Sequence, residues 1–231
     1  MAKRQAPGAT IQPSSFDFLR TLKQNNNREW FNEHKPIYQQ ELQAVAVFAE
    51  ALLQLLSETD LIETPSGEKS LHRIYRDTRF SKDKTPYKAN WSGHFRRATR
   101  QRRGGYYFHL EPGNSFVAGG FWGPVAEDLK LIRDDIAFDP APLRKILNAR
   151  SFKTTFGTLQ GEQLKTTPKG YDATHEAIDL LRYKQFLLIR KFTDAEVLNE
   201  SFLNEAADTF RKMRPFFDYM SEVLTADGNG V

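Results

Sequence analysis

Apolar residues recur at helical spacing from the start of the chain. Phe18, Leu19 and Leu22 form one stripe of a helix predicted over Phe16–Gln24, with Ser14 or Ser15 as its cap. The triplet Asn25-Asn26-Asn27 breaks that helix and offers Asn27 as cap for a second helical stretch beginning at Trp30 and Phe31. Pro36 suits the first turn of a long helix or marks a kink in one. From Ile37 to Leu56, the residues Leu42, Val45, Phe48, Ala49, Leu52, Leu53 and Leu56 keep helical spacing, the strongest such signal in the chain. The period then changes. Leu71–Asp77, Trp91–Arg97, Tyr106–Glu111 and Phe116–Trp122 read as strands, joined by loops rich in Arg, Gly and Asn. Connections this short favour an antiparallel meander.

Pro124 opens a predicted helix over Val125–Ile136, and Pro140 and Pro142 precede a short one at Leu143–Asn148. A Gly/Pro/Thr-rich passage, Gly157–Tyr171, leads to a helix near His175–Leu181, and Gln185–Phe192 reads as an apolar strand. After Asp194 the pattern is helical to Leu224, with Pro215 marking a kink or break. Helices lead, strands sit in the middle and helices close, so the fold class is α+β. The expected architecture is a central antiparallel sheet of four to five strands, a meander in residues 71–122 plus a strand near 185–192, packed by N-terminal and C-terminal helices.

Length and composition add bounds. Without a linker or a repeat period, the 231 residues read as one domain over 14–225, with a disordered tail at 1–13 and a frayed end at 226–231. A hydrophobic fraction of 39% and 18 Phe suffice for a sizeable core. No apolar run reaches the ~20 residues of a membrane span. Nothing apolar follows the N-terminal charges, so no secretory signal is expected. The absence of Cys excludes disulfides, thiolate metal sites and a Cys nucleophile, and fits a cytoplasmic protein.

Net charge is only +4, but its distribution is uneven. Arg73 to Arg103 carries eleven cations against Asp77 and Asp83, a surplus of nine, leaving the rest of the chain at −5. Such asymmetry points to an anionic partner or to charge compensation across the fold. Arg guanidinium groups bind phosphate or carboxylate bidentately and Lys adds point charge. An anion site can therefore be built from Arg73, Arg76, Arg79, Lys82, Lys84 and Lys88, with Asp77 orienting an Arg. The competing reading is a solvated loop of structural Arg–Asp pairs.

Strand pairing brings further residues into view. A hairpin tip centred between Gln101 and Arg102 sets His94 opposite His109, Arg96 opposite Tyr107 and Ser92 opposite Glu111. The other face, with Trp91, Phe95, Tyr106, Phe108 and Leu110, belongs to the core. The next turn sets Ala118 and Gly120 beside His109 and Tyr107, small residues that would floor a pocket lined by Tyr75, Asp77, Asp83, His94, Arg96, Tyr107 and His109. The alternative is an ordinary solvated sheet face. No further ligands accompany the two His at metal-site spacing, so no metal is expected. The Arg-rich tip 96–103 offers a β-ribbon for a nucleic-acid groove, or a mobile soluble loop.

The run Arg73-Ile74-Tyr75-Arg76-Asp77-Thr78-Arg79-Phe80-Ser81-Lys82-Asp83-Lys84-Thr85-Pro86-Tyr87-Lys88 resembles the signature of a widespread bacterial and fungal family of conserved hypothetical proteins, a domain of unknown function. Gly105-Tyr106-Tyr107-Phe108-His109-Leu110, with Gly119-Gly120-Phe121-Trp122-Gly123-Pro124, is similar to the family's central hairpin. Leu164–Tyr171, His175 and Asp179–Lys184 resemble its later motif, and Asn27-Arg28-Glu29-Trp30-Phe31 also fits. The resemblance, running from about Phe16 to Tyr219, implies a single α+β domain and carries over no activity, cofactor or catalytic residue. It marks Arg73–Lys88 as a unit, flags Lys169, Gly170, Arg182 and Lys184 as a second basic contribution, and does not extend to the Arg-rich tip. No nucleotide-binding glycine loop, zinc-protease His-Glu pair or nucleophile elbow is present. Three functions remain open: binding of, or action on, a phosphorylated or other anionic small molecule, nucleic-acid binding through the tip, and a protein–protein scaffold.

Overall fold

A computed structural model describes residues 9–99 and 103–225. The first helix, α1 (Pro13–Gln24), starts earlier than predicted. Gln12 is its cap and Pro13 its first residue, where a missing N–H costs nothing. Ser15 is no cap: it is buried, and its hydroxyl donates to Glu41 Oε2 at 2.5 Å. Ala9 and Ile11 are also buried. Asn27 caps α2 (Arg28–Glu33) as predicted, accepting from the Trp30 N–H at 2.9 Å. The long helix α3 (Lys35–Ser57) has Pro36 in its first turn and buries Val45, Phe48, Ala49, Leu52, Leu53 and Leu56. A single turn, α4 (Gly67–Ser70), follows.

The strand expected at Leu71–Asp77 does not form. Only Leu71 pairs with Gly93 and Tyr75 with Tyr87, each as an isolated bridge. Beyond Leu71 the backbone bonds to its own later segment instead: Ile74 is buried, its carbonyl accepts from the Lys88 N–H (2.7 Å), and the Arg76 N–H donates to Pro86 O (2.9 Å). The sheet proper has four antiparallel strands in the order β1 (Trp91–Arg96), β2 (Gly105–Leu110), β3 (Ser115–Phe121) and β4 (Phe186–Phe192). Its strands match the three remaining meander segments and the predicted late strand. The architecture is α+β.

Two compact units share the chain. The first comprises Met1–Phe95, Tyr107–Val117 and Lys191–Asp208. Its core stacks Phe48 on Phe202 (5.5 Å) and sets Phe48 edge-on to Phe108 (5.8 Å), which also meets Phe95 (5.9 Å). Thr193 and Glu196 form a capping box on α9 (Asp194–Val197), a short helix that interrupts the continuous run predicted after Asp194.

The second unit comprises Arg96–Tyr106, Ala118–Arg190 and Thr209–Val231. It contains α5 (Ala126–Phe138), α6 (Ala141–Asn148), α7 (Arg150–Phe156) and α8 (Ile178–Leu181). The sequence reading has no counterpart for α7, whose anchors are the buried Phe152 and Phe156. The last helix, α10 (Phe202–Thr225), runs through Pro215 without ending. In this unit Tyr106 packs on Phe210 and Phe217, each at 5.0 Å. Gly120 has φ +134°, and a Cβ there would sit 2.1 Å from Phe186 O. The small residue makes way for β4 backbone. Among the described residues no helix is long and apolar enough to cross a membrane.

Candidate functional site

The signature segment folds back on itself as a loop closed at its neck by Ile74–Arg76 and Pro86–Lys88. Asn26 clamps that neck: its side chain accepts from the Tyr87 N–H (3.1 Å) and donates to Tyr87 O (2.9 Å), while Phe31 stacks on the Tyr87 ring at 4.0 Å. Within the loop the charges pair. Arg79 forks onto Asp77 through Nε (3.0 Å) and Nη2 (2.6 Å). Arg76 Nη1 bonds both Asp83 and the Thr85 hydroxyl. Lys84 Nζ donates to Thr78 O at 2.8 Å, and the Thr85 N–H donates to Asp83 at 2.9 Å. The Thr85 N–H, the Arg76 guanidinium and the Thr85 hydroxyl hold the Asp83 carboxyl down at about 2. Arg79 likewise lowers Asp77. Phe80 at the tip is 95% exposed, and Tyr75 is half-exposed against Phe31 and Tyr87.

Arg73 and Lys88 are different. Lys88 Nζ donates to Arg73 O at 2.9 Å, and among the described residues neither side chain meets a carboxylate. Burial and the neighbouring Arg73 charge lower the Lys88 ammonium below its usual range. Next to them lies His72, which the sequence reading did not select. Its N–H pairs with Ser92 O (2.8 Å), holding the residue against the edge of β1. Burial, then Lys88, then His94 push the His72 imidazole below its usual value.

Parity along the strands puts His94, Tyr107 and His109 on the face opposite the buried Phe95, Phe108 and Leu110. The residues on that face are linked. The His72 ring lies 5.9 Å from the Tyr107 ring, and His72 Nδ1 is 3.3 Å from the Ser92 hydroxyl. The Ser92 hydroxyl, which the expected register sets opposite Glu111, acts on the Tyr107 phenol and lowers it. The Tyr107 hydroxyl lies 3.0 Å from His109 Nδ1, and His109 Nε2 lies 3.2 Å from Glu111 Oε2. Phe116 stacks on the His109 imidazole at 4.8 Å. Burial would raise the Glu111 carboxyl, but hydrogen bonds from Asn114, His109 and Lys23 outweigh it and hold the group anionic. Burial raises the Tyr107 phenol, and the Ser92 bond only partly offsets that. Among the described residues no group of three or more His, Cys, Asp or Glu side chains is placed to hold a metal ion.

Comparison with family models returns a match over residues 14–219, described as conserved hypothetical protein (DUF2461). The chain belongs to this family. Neither the curated proteins nor the solved structures yield a match to it.

In this DUF2461 chain the predicted basic residues divide into those in the signature loop and those elsewhere. Lys82 is exposed on the loop. Arg96 is exposed at the end of β1 and belongs to the second unit, with Lys169 and Arg182. Lys169 is exposed, whereas Arg182 ends α8 with its Nε buried and without a hydrogen-bond partner. Two tip cations are not solvent groups. Arg97 is 2% exposed and bonds Asp218, Ser221 and Arg103 O, and Arg103 pairs with Asp128. Arg100, Gln101 and Arg102, the centre of the proposed nucleic-acid tip, lie outside the described residues. The sequence reading does not place His72, Ser92 or Glu111 in its candidate site, because only the pairing of distant segments brings them to this face.

Proposed function

We propose that this DUF2461 chain binds an anionic small molecule, bearing a phosphate or carboxylate group, where Arg73 and Lys88 lie beside His72 and His94. One observation carries the reading. Arg76 and Arg79 already hold carboxylates, whereas Lys88 lies beside Arg73 and His72, and among the described residues neither Arg73 nor Lys88 meets a carboxylate. Like charges held together raise one another's energy, and an anion placed between them recovers that cost. The signature loop then acts as a frame: its internal Arg–Asp pairs fix the neck that carries Lys88. Calorimetric titration with inorganic phosphate, sulfate and citrate tests the proposal. Arg73→Ala and Lys88→Ala are expected to weaken the best-bound anion at least tenfold, and Arg79→Ala less than twofold. Equal effects of all three substitutions, or no anion binding by the unaltered chain, would overturn it.

A further inference from the structure

We propose that Glu111, His109, Tyr107, Ser92 and His72 form a proton relay that makes the His72 imidazole the general acid–base group of this site. The inference deepens the anion-site reading, which supplies the molecule that His72 would serve. It starts from burial. Ser92 is 5% exposed, and the side chains of His109 and Glu111 are 13% and 20% exposed, although all three lie outside the apolar core. A polar network withdrawn from water is costly unless every member finds a partner, and here each does.

The partners fix the direction of the chain. Glu111 is anionic and can only accept, so His109 Nε2 carries a hydrogen and the neutral ring presents its Nδ1 lone pair to the Tyr107 hydroxyl. Tyr107 therefore donates to His109, and its lone pairs are left to accept from Ser92, which the His72 ring holds on the same face, 5.9 Å ring to ring from Tyr107. Ser92, its hydrogen so used, accepts from His72 Nδ1–H. What is left is the His72 Nε2 lone pair, on the residue that borders Lys88 and His94. When Nε2 takes a proton from a bound molecule, the Nδ1 proton passes to Ser92. The Ser92 proton passes to Tyr107 and the Tyr107 proton to His109 Nδ1. Each intermediate group loses one N–H or O–H bond and gains one. The net result is a neutral His72 and an imidazolium at His109, and the steps reverse when the proton is returned.

Electrostatics favours that transfer. A cation on His72 faces Lys88 and His94, whereas a cation on His109 faces the Glu111 carboxylate, itself touched by Lys23 at 3.4 Å. The arrangement follows the logic by which a carboxylate orients an imidazole and stabilises its charged form in nucleophile–base pairs. His72 would touch the bound molecule. Ser92, Tyr107, His109 and Glu111 act through it as positioning and proton-holding residues.

Long-range nitrogen–proton NMR of the histidine rings tests the relay without a known substrate. In the unaltered protein His72 is expected in the Nδ1–H tautomer and His109 in the Nε2–H tautomer. Tyr107→Phe removes the central hydroxyl and leaves Arg73, Lys88 and His72 in place. It should return both His72 and His109 to mixed tautomer populations, while inorganic phosphate affinity changes less than twofold. Ser92→Ala gives the same break should Tyr107→Phe not fold. Finding His72 as the Nε2–H tautomer, or unchanged in both breaking variants, would sink the relay. Absence of phosphate binding with His72 and His109 still held in single tautomers would sink the anion reading and leave the relay standing.

Discussion

Replacing Arg97 with Ala separates a structural cation from a nucleic-acid contact. The guanidinium is 2% exposed and donates to Arg103 O (2.9 Å), Ser221 Oγ (3.3 Å) and Asp218 Oδ1 (2.7 Å), with Phe217 under it at 5.3 Å. Removing one partner of a buried pair costs about 3–5 kcal/mol when the other is stranded. Asp218 is not stranded: its side chain is 48% exposed and it keeps Arg214 at 3.3 Å. Ser221 also keeps Phe217 O and the Arg103 N–H. What disappears is the bond to Arg103 O, the ring contact and two or three buried methylenes at about 0.8 kcal/mol each. Relief from desolvating the cation offsets part of this, so the expected loss is about 2–4 kcal/mol. For a chain of this size that lowers Tm by roughly 4–16 °C. Arg97→Lys keeps the stem and one donor direction, and should recover about half of the loss. Urea unfolding measures both variants, with retention on immobilised DNA run alongside. A midpoint within 0.5 kcal/mol of the unaltered protein, together with lost retention on DNA, would refute the structural reading.

Two further predictions rest on backbone and loop geometry. Gly120→Ala should destabilise by more than ~3 kcal/mol or prevent folding, because its Cβ would fall 2.1 Å from Phe186 O at φ +134°. Gly113→Ala, at φ +77° with nothing within 4 Å, should cost only about 1 kcal/mol in urea unfolding, so equal losses would contradict the packing argument. The Asp83 carboxyl should titrate near 2 by carbon NMR and move toward its ordinary 3.8 in Arg76→Ala. Since the folded value lies below the unfolded one, the loop's stabilisation is complete above pH ~4 and lost as pH falls toward 2. A midpoint near 4 in the unaltered chain would remove Asp83 as the loop's anchor.

Local period made much of the fold legible. Helices α1 and α3 carry apolar stripes along their own sequence, and β2 alternates strictly between buried and half-buried positions, so each declares itself within a few residues. Asn27 was readable as a cap for the same reason, since its partner is the N–H of Trp30, three positions on. The Arg79–Asp77 pair was foreseeable too, because the partners are two residues apart. Leu71–Asp77 misled because alternation describes side chains, whereas a strand needs a continuous edge to pair with, and here only isolated bridges form.

By itself, then, the sequence determined the α+β class, most of the elements and the concentration of cations between Arg73 and Arg103. Tertiary structure decided which of those cations are already used. Arg97 finds Asp218 from 121 positions away, and Arg103 finds Asp128. It also decided that Gly120 accommodates a strand and that His72 meets Ser92, both consequences of which segments lie side by side. The physical reason is common to all these cases. Period and capping depend on neighbours within a turn, whereas the burial of a charge or the partner of an imidazole depends on contacts that exist only once distant segments have packed.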